Sequence, residues 1–194
     1  MDGTEAAVER QSGALKALLE RARSGVPVPV EHWQPPYCGD IGLKIRADGT
    51  WLYRGSTIGR EALVTLFASV LRKDADGRTY LVTPAERVDV AVEDAPFLAV
   101  EMEVHGKGRR QTLIVRTNVD DIVHCGPMHP LRFAEQEPGG GLKPYVLVRG
   151  RLEALLARPL VYELAELAVE EERDGKRAAG VWSGDAFFAF LSAP

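Results

Sequence analysis

Residues 60–83, REALVTLFASVLRKDADGRTYLVT, return in outline as residues 158–181, RPLVYELAELAVEEERDGKRAAGV, 98 positions further along the chain. Arg60 aligns with Arg158, and Asp76-Gly77 with Asp174-Gly175. Between those marks Leu63, Leu66, Phe67, Val70 and Leu71 align with Val161, Leu164, Ala165, Ala168 and Val169. Both sets step i, i+3, i+4, i+7, i+8, the spacing of one buried helical face. The pattern predicts helices over residues 58–72 and 159–172, each followed by an Asp-Gly turn into a strand. A duplicated segment implies two related halves, residues 1–94 and residues 95–194, and junctions between such halves are frequent ligand sites.

Outward from the first copy, residues 4–23 read as an amphipathic helix with Leu15, Leu18, Leu19 and Ala22 on its apolar stripe. Pro27 and Pro29 exclude the next stretch from helix, and His32 to Tyr37 is an aromatic, proline-rich loop. Leu43 to Arg46 and Thr50 to Arg54 flank Asp48-Gly49 as a hairpin, and Arg78 to Thr83 with Glu86 to Glu93 form another. Leu98, Val100, Met102 and Val104 alternate with Glu101 and Glu103, which predicts a half-buried strand. Residues 105–110 turn the chain into strands over 111–116 and 121–124, and residues 136–141 read as a flexible loop. A hairpin over 145–156 turns at Gly150, and residues 176–181 and Phe187 to Phe190 close the second half. Each half thus supplies hairpin, helix, hairpin, an α+β layout with antiparallel sheets. The regular strand–helix alternation of a parallel sheet and the glycine-rich loops that cradle phosphates are both missing from the sequence.

The 194 residues carry a net charge of -4, with 12 basic and 14 acidic side chains in each half. That balance lacks the basic excess of a nucleic-acid binder. No apolar run is long enough to span a bilayer, and the N-terminus lacks the basic start and apolar centre of a secretory signal. A cytoplasmic protein with two free thiols, Cys38 and Cys125, is expected.

The repeated arginines lead the candidate sites. Arg60 and Arg158 fall at the start of their helices, where a cation opposes the helix dipole and calls for a negative partner. That partner is either an anionic ligand or a carboxylate such as Glu61, Asp40 or Glu86. Trp51 and Tyr53, two apart on a strand and beside Arg54 and Asp40, could stack a planar ring, or could cover the N-terminal helix as an aromatic patch. His124-Cys125 and His129 make the one His/Cys cluster, but the spacing lacks a paired Cys-x-x-Cys and reads as an ordered turn rather than a metal site. Ser183 stands near a strand end without a nucleophile elbow around it, a turn residue or a ligand contact.

Tyr37-Cys-Gly-Asp-Ile41, Asp48-Gly-Thr-Trp51, Gly55-Ser-Thr-Ile-Gly-Arg60, Val82-Thr-Pro-Ala-Glu86, Val92-Glu-Asp-Ala-Pro-Phe97, His129-Pro-Leu131, Val148-Arg-Gly150 and Gly180-Val-Trp-Ser183 stand in this order. Together they resemble the bacterial domain-of-unknown-function family numbered twelve eighty-five, over nearly the whole chain after the first helix. The resemblance implies a duplicated α+β core and a C-terminal half loosely similar to pleckstrin-homology folds. It also implies a pocket between the halves suited to a nucleotide-like ligand, and a role in signal transduction. Its motif positions Asp40, Trp51, Arg60, Glu86, Arg149 and Ser183 become candidate ligand contacts, beside Tyr53 and Arg158 from the residue reading.

The function expected first is a small-ligand sensor for a nucleotide-like or other anionic metabolite, without cofactor or metal, able to form homo-oligomers or engage a protein partner. The alternative is a protein-interaction module using a sheet edge such as Leu98 to Val104. An enzyme, a hydrolase with Asp40 or Glu86 as base, stands third, because it needs a carboxylate of raised pKa in a cleft.

Overall fold

The computed structural model describes residues 28–136, 141–173 and 175–190. The helix expected over 4–23, the middle of the 136–141 loop and Asp174 lie outside the described residues. The chain divides into two compact units, one from the described residues up to Lys44 with Thr50–Ala91, the other from Ile45–Gly49 with the residues from Val92 onward.

In the first unit the strands are β1 (Tyr37–Ile45), β2 (Trp51–Tyr53), β3 (Ser56–Thr57), β4 (Leu71–Lys73), β5 (Thr79–Val82) and β6 (Arg87–Val92), in the order β3-β2-β1-β6-β5-β4. Helix α1 (Glu61–Ser69) enters between β3 and β4. The alternation in β6 buries Val88 and Val90, and the other buried apolar residues of this unit include Leu43, Trp51, Leu66, Val70, Leu71, Tyr80 and Val82. The hairpin expected around Asp48-Gly49 forms, closed by the Gly49 N–H on the Arg46 carbonyl at 3.0 Å.

The second unit carries β7 (Phe97–His105), β8 (Thr112–Thr117), β9 (Ile122–His124), β10 (Leu131–Glu135), β11 (Leu142–Arg149) and β12 (Leu152–Leu156). Then come α2 (Arg158–Glu166), β13 (Val169–Arg173), β14 (Lys176–Ser183) and β15 (Ala186–Ala189). Six strands join in the order β10-β11-β12-β7-β8-β9, and β13-β14-β15 form a separate meander. The pair β12·β7 runs parallel, in a sheet whose other pairs are antiparallel. Parallel pairing needs a crossover, and the chain between β7 and β12 supplies it as four further strands. A bulge between Ala99 and Glu101 shifts the register of β7. Its early residues Phe97 and Ala99 are buried, while Leu98 and Val100 are half-exposed, so the alternation read from the sequence was out of phase at the start of this strand. Among the described residues no helix is long and apolar enough to cross a membrane.

Both predicted helices end early. Val70 leaves helical geometry at φ -111° and ψ 13°, and Leu71 already pairs with Leu81. In the second copy Val169 pairs with Gly180 in β13·β14. The apolar positions at i+8, Leu71 and Val169, therefore belong to the next strand, and those at i+7, Val70 and Ala168, to the turn before it, which periodicity over one turn cannot separate from a helix end. The buried residues of α2 are Leu160 and Leu164, whereas Ala165 and Ala168 are exposed.

The copied unit is longer than hairpin–helix–hairpin. Three strands, a helix and three strands, β1-β2-β3-α1-β4-β5-β6, recur as β10-β11-β12-α2-β13-β14-β15. After each helix a meander turns at a glycine in left-handed geometry, Gly77 at φ 81° and Gly175 at φ 74°. The copies differ at one seam. In the first, β1 and β6 are neighbours in one sheet; in the second, Phe133 of β10 meets Phe190, the residue just after β15, ring centroids 5.0 Å apart, and β10 and β15 do not join a sheet. Strands β7 to β9 stand before the second copy, and β7 pairs with its β12.

Candidate functional site

Helix α2 starts where β12 ends, and its start is set by Ala157, in extended geometry, followed by Arg158 and Pro159. Proline suits the first helical turn because its missing N–H has no partner to lose there. The next amides, of Leu160 and Val161, bond back to the Ala157 carbonyl at 2.9 and 3.3 Å. One turn on, Tyr162 stands at i+4 from Arg158, and the Arg158 Nε donates to its hydroxyl at 3.2 Å. That contact raises the Arg158 pKa. Among the described residues no carboxylate pairs with Arg158.

A cavity of about 420 Å³ opens at this point, lined by the start of α2, the end of β12 and the start of β11. Leu142, Pro144, Leu155, Leu156 and Val161 supply its apolar lining, and Gln136, Lys143, Arg158 and Tyr162 its polar one. All of these residues belong to the second unit. Lys143 is an anchored cation: its Nζ lies 2.6 Å from Asp94 Oδ2, and the Tyr145 hydroxyl donates to Asp94 Oδ1 at 2.7 Å. Burial pushes the Asp94 carboxyl up, but the hydrogen bonds from Lys143 and Tyr145 outweigh it and hold the group below its ordinary value. Burial and the bond to Asp94 push the Tyr145 phenol up to about 12. Behind it, Arg132 lies 4.2 Å over the Tyr145 ring and forks onto both oxygens of Glu153 at 2.8 Å.

Of the residues singled out from the sequence, Arg158 is the one that lines this cavity. Arg60 caps the start of α1 in the first unit, exposed, and among the described residues pairs with no carboxylate. Asp40 is exposed and accepts the Gly42 N–H at 2.7 Å, a local turn contact. Trp51 is 2% exposed and packs on Phe67 at 6.0 Å, so its ring belongs to the core, and its indole N–H has no hydrogen-bond partner among the described residues. Tyr53 is exposed and carries the Arg54 guanidinium 5.2 Å over its ring. Burial thus divides the Trp51–Tyr53 pair, since β2 ends at Tyr53. Glu86 is exposed, its backbone carbonyl closing a turn with Thr83. Arg149 pairs with Asp121 and lies 4.8 Å over Phe97.

Ser183 is wholly buried. Its hydroxyl donates to the Cys125 carbonyl at 2.7 Å and accepts the Leu113 N–H at 2.9 Å, stitching β14 to β8. In the His/Cys stretch, Cys125 is 1% exposed and burial pushes its thiol up to about 12. His129 Nδ1 meets the Leu147 carbonyl at 3.0 Å, and His124 is exposed. Among the described residues no group of three His, Cys, Asp or Glu side chains is placed to hold a metal.

Lys143, Tyr162 and Asp94 were not singled out from the sequence. Tyr162 was legible as the i+4 neighbour of Arg158. Lys143 and Asp94 are 49 positions apart and meet only through the fold.

Two family matches cover the chain: the N-terminal domain of DUF1285, a domain of unknown function, over residues 28–95, and the C-terminal domain of DUF1285, a protein of unknown function, over residues 96–190. A DUF1285 family protein from Silicibacter pomeroyi DSS-3 has a similar crystal structure, with 44% sequence identity, 90% of this chain and 94% of that chain covered, and a TM-score of 0.79. A DUF1285 family protein from Shewanella baltica OS155 is 28% identical over 64% of this chain and 91% of its own, with a TM-score of 0.49. No curated protein is similar to the chain.

Proposed function

The chain belongs to the DUF1285 family, and on that footing we propose that it is a cytoplasmic sensor of a small anionic metabolite, acting in signal transduction. The observation that carries the reading is the cavity beside α2, where the Arg158 guanidinium, unpaired with any carboxylate among the described residues, stands at the edge of an apolar recess. A volume of about 420 Å³ falls within the range of small-molecule sites, roughly 300–1,000 Å³. Nucleotide-like ligands are the anions raised by the family resemblance, and other anionic metabolites meet the same cation. An exposed guanidinium costs nothing to leave hydrated, so the recess beside it, which removes a ligand body from water, supplies the larger part of the expected affinity.

The test is thermal unfolding of the full chain against nucleoside mono- and diphosphates, organic phosphates and carboxylates at millimolar concentration. Ligands that bind only the folded state raise Tm by mass action, by about 2.7 kcal/mol of stability at a hundredfold excess over Kd. A ligand-dependent rise that is lost in Arg158→Gln supports the sensor. Absence of any rise across the panel refutes it.

A second reading, a protein-interaction module, has one specific observation in its favour. Strand β9 ends its sheet with Ile122 58% exposed, and Met128 in the following turn is 81% exposed. The edge first considered, Leu98 to Val104, is covered at its start, because β12 pairs with Phe97, Leu98 and Ala99. Glu101, held by Arg116 at 2.6 and 2.8 Å, and Glu103 blunt the remainder.

A further inference from the structure

The charges around the cavity narrow its ligand, on the premise that it is the ligand site. Lys143 is already neutralised: Asp94, its carboxylate 13% exposed, holds the ammonium at 2.6 Å and receives the Tyr145 hydroxyl on its other oxygen. Among the described lining residues Arg158 is the remaining cation, so these residues offer a ligand one unneutralised positive charge.

The donors point the same way. With Nε engaged on the Tyr162 oxygen, Arg158 presents its terminal amino groups, and Tyr162 keeps its own O–H proton to donate. Two guanidinium N–H groups and one hydroxyl match the two oxygens of a carboxylate. A phosphate monoester has three terminal oxygens and a second charge. The helix start cannot serve them as phosphate-binding helix termini do, because Pro159 has no N–H and the Leu160 and Val161 amides are bonded to Ala157. The apolar lining of Leu142, Pro144, Leu155, Leu156 and Val161 calls for an apolar body on the acid.

We infer that the cavity binds monocarboxylates with an apolar or aromatic body and discriminates against phosphomonoester dianions, with Asp94 setting that preference by neutralising Lys143.

The test is titration calorimetry on the full chain at pH 8 with four probes: 2-naphthoate, 2-naphthyl phosphate, the neutral 2-naphthamide and adenosine monophosphate. Naphthoate is expected to bind at least about tenfold more tightly than the amide or either phosphate, the size of one charge-assisted hydrogen-bond pair. Arg158→Gln, at an exposed position that leaves the core untouched, is expected to weaken naphthoate binding by at least about tenfold. Asp94→Asn, which frees the Lys143 charge, is expected to shift the naphthoate-to-naphthyl-phosphate ratio toward the phosphate.

Equal or tighter binding of naphthyl phosphate or adenosine monophosphate overturns the carboxylate preference and leaves the sensor standing. An unchanged ratio in Asp94→Asn overturns the role of Asp94. Failure of all four probes in the presence of a Tm rise from another anion overturns this inference alone, and failure of every anion overturns the sensor with it.

Discussion

Replacing Ser183 with alanine separates a structural serine from a ligand-binding or reactive one. The hydroxyl is wholly buried and serves two backbone groups at once, accepting from the Leu113 N–H at 2.9 Å and donating to the Cys125 carbonyl at 2.7 Å. Ser183→Ala removes the side-chain oxygen and strands both partners in a packed region where Leu113 is itself 0% exposed. Each stranded buried group costs about 1–3 kcal/mol, and the smaller burial of a methyl in place of a hydroxyl returns part of it. The net loss is therefore about 2–4 kcal/mol, a large share of the roughly 5–15 kcal/mol that holds a domain folded. For a unit of this size that lowers the midpoint of its transition by roughly 8–16 °C. Scanning calorimetry reads the shift, and amide hydrogen exchange at Leu113 reads its cause, since that N–H loses its acceptor. A loss under about 0.5 kcal/mol with Leu113 still protected would falsify the structural assignment.

The remaining expectations concern packing and pH. Gly180→Ala places a Cβ 2.4 Å from the Phe188 carbonyl oxygen and 2.6 Å from Phe187 Cζ, so a loss of about 2–3 kcal/mol is expected in urea denaturation. Gly77→Ala meets open space and bears only the left-handed backbone cost, about 1–2 kcal/mol; a larger loss there than at Gly180 contradicts the packing described. Asp94 has a folded pKa below its unfolded value of about 3.9, so its contribution is complete above that value and is lost as pH falls through the folded one. Urea midpoints between pH 3 and 6 are expected to fall less steeply toward acid in Asp94→Asn, with Asp76 and Glu101, also held low by their partners, keeping part of the slope. An identical acid slope in the variant removes Asp94 from the account.

Local patterns were legible where neighbours in sequence are neighbours in space. The Asp48-Gly49 and Asp76-Gly77 turns, the alternation of Val88 and Val90, and the placing of Arg60 and Arg158 at helix starts all follow from short-range chemistry. Misreadings arose where a distant partner decides. Val70, Leu71 and Val169 fit a helical face, but a strand partner at Leu81 or Gly180 draws the chain out of the helix. The bulge between Ala99 and Glu101, which sets the face that β7 buries, depends on its partner β8 and leaves no mark in composition.

The candidate site divides along the same line. Arg158 could be found from the repeat, because duplication preserves position along the chain. The repeat could not show that Trp51 lies in the core, that Ser183 is consumed by two backbone groups, or that Lys143 is held by Asp94. Sequence alone established the family, the α+β class and the doubled segment, because motif order and local periodicity survive without coordinates. Only tertiary structure decided which cation lacks a carboxylate beside an apolar recess, because burial and charge pairing are properties of residues far apart in the chain and close in space.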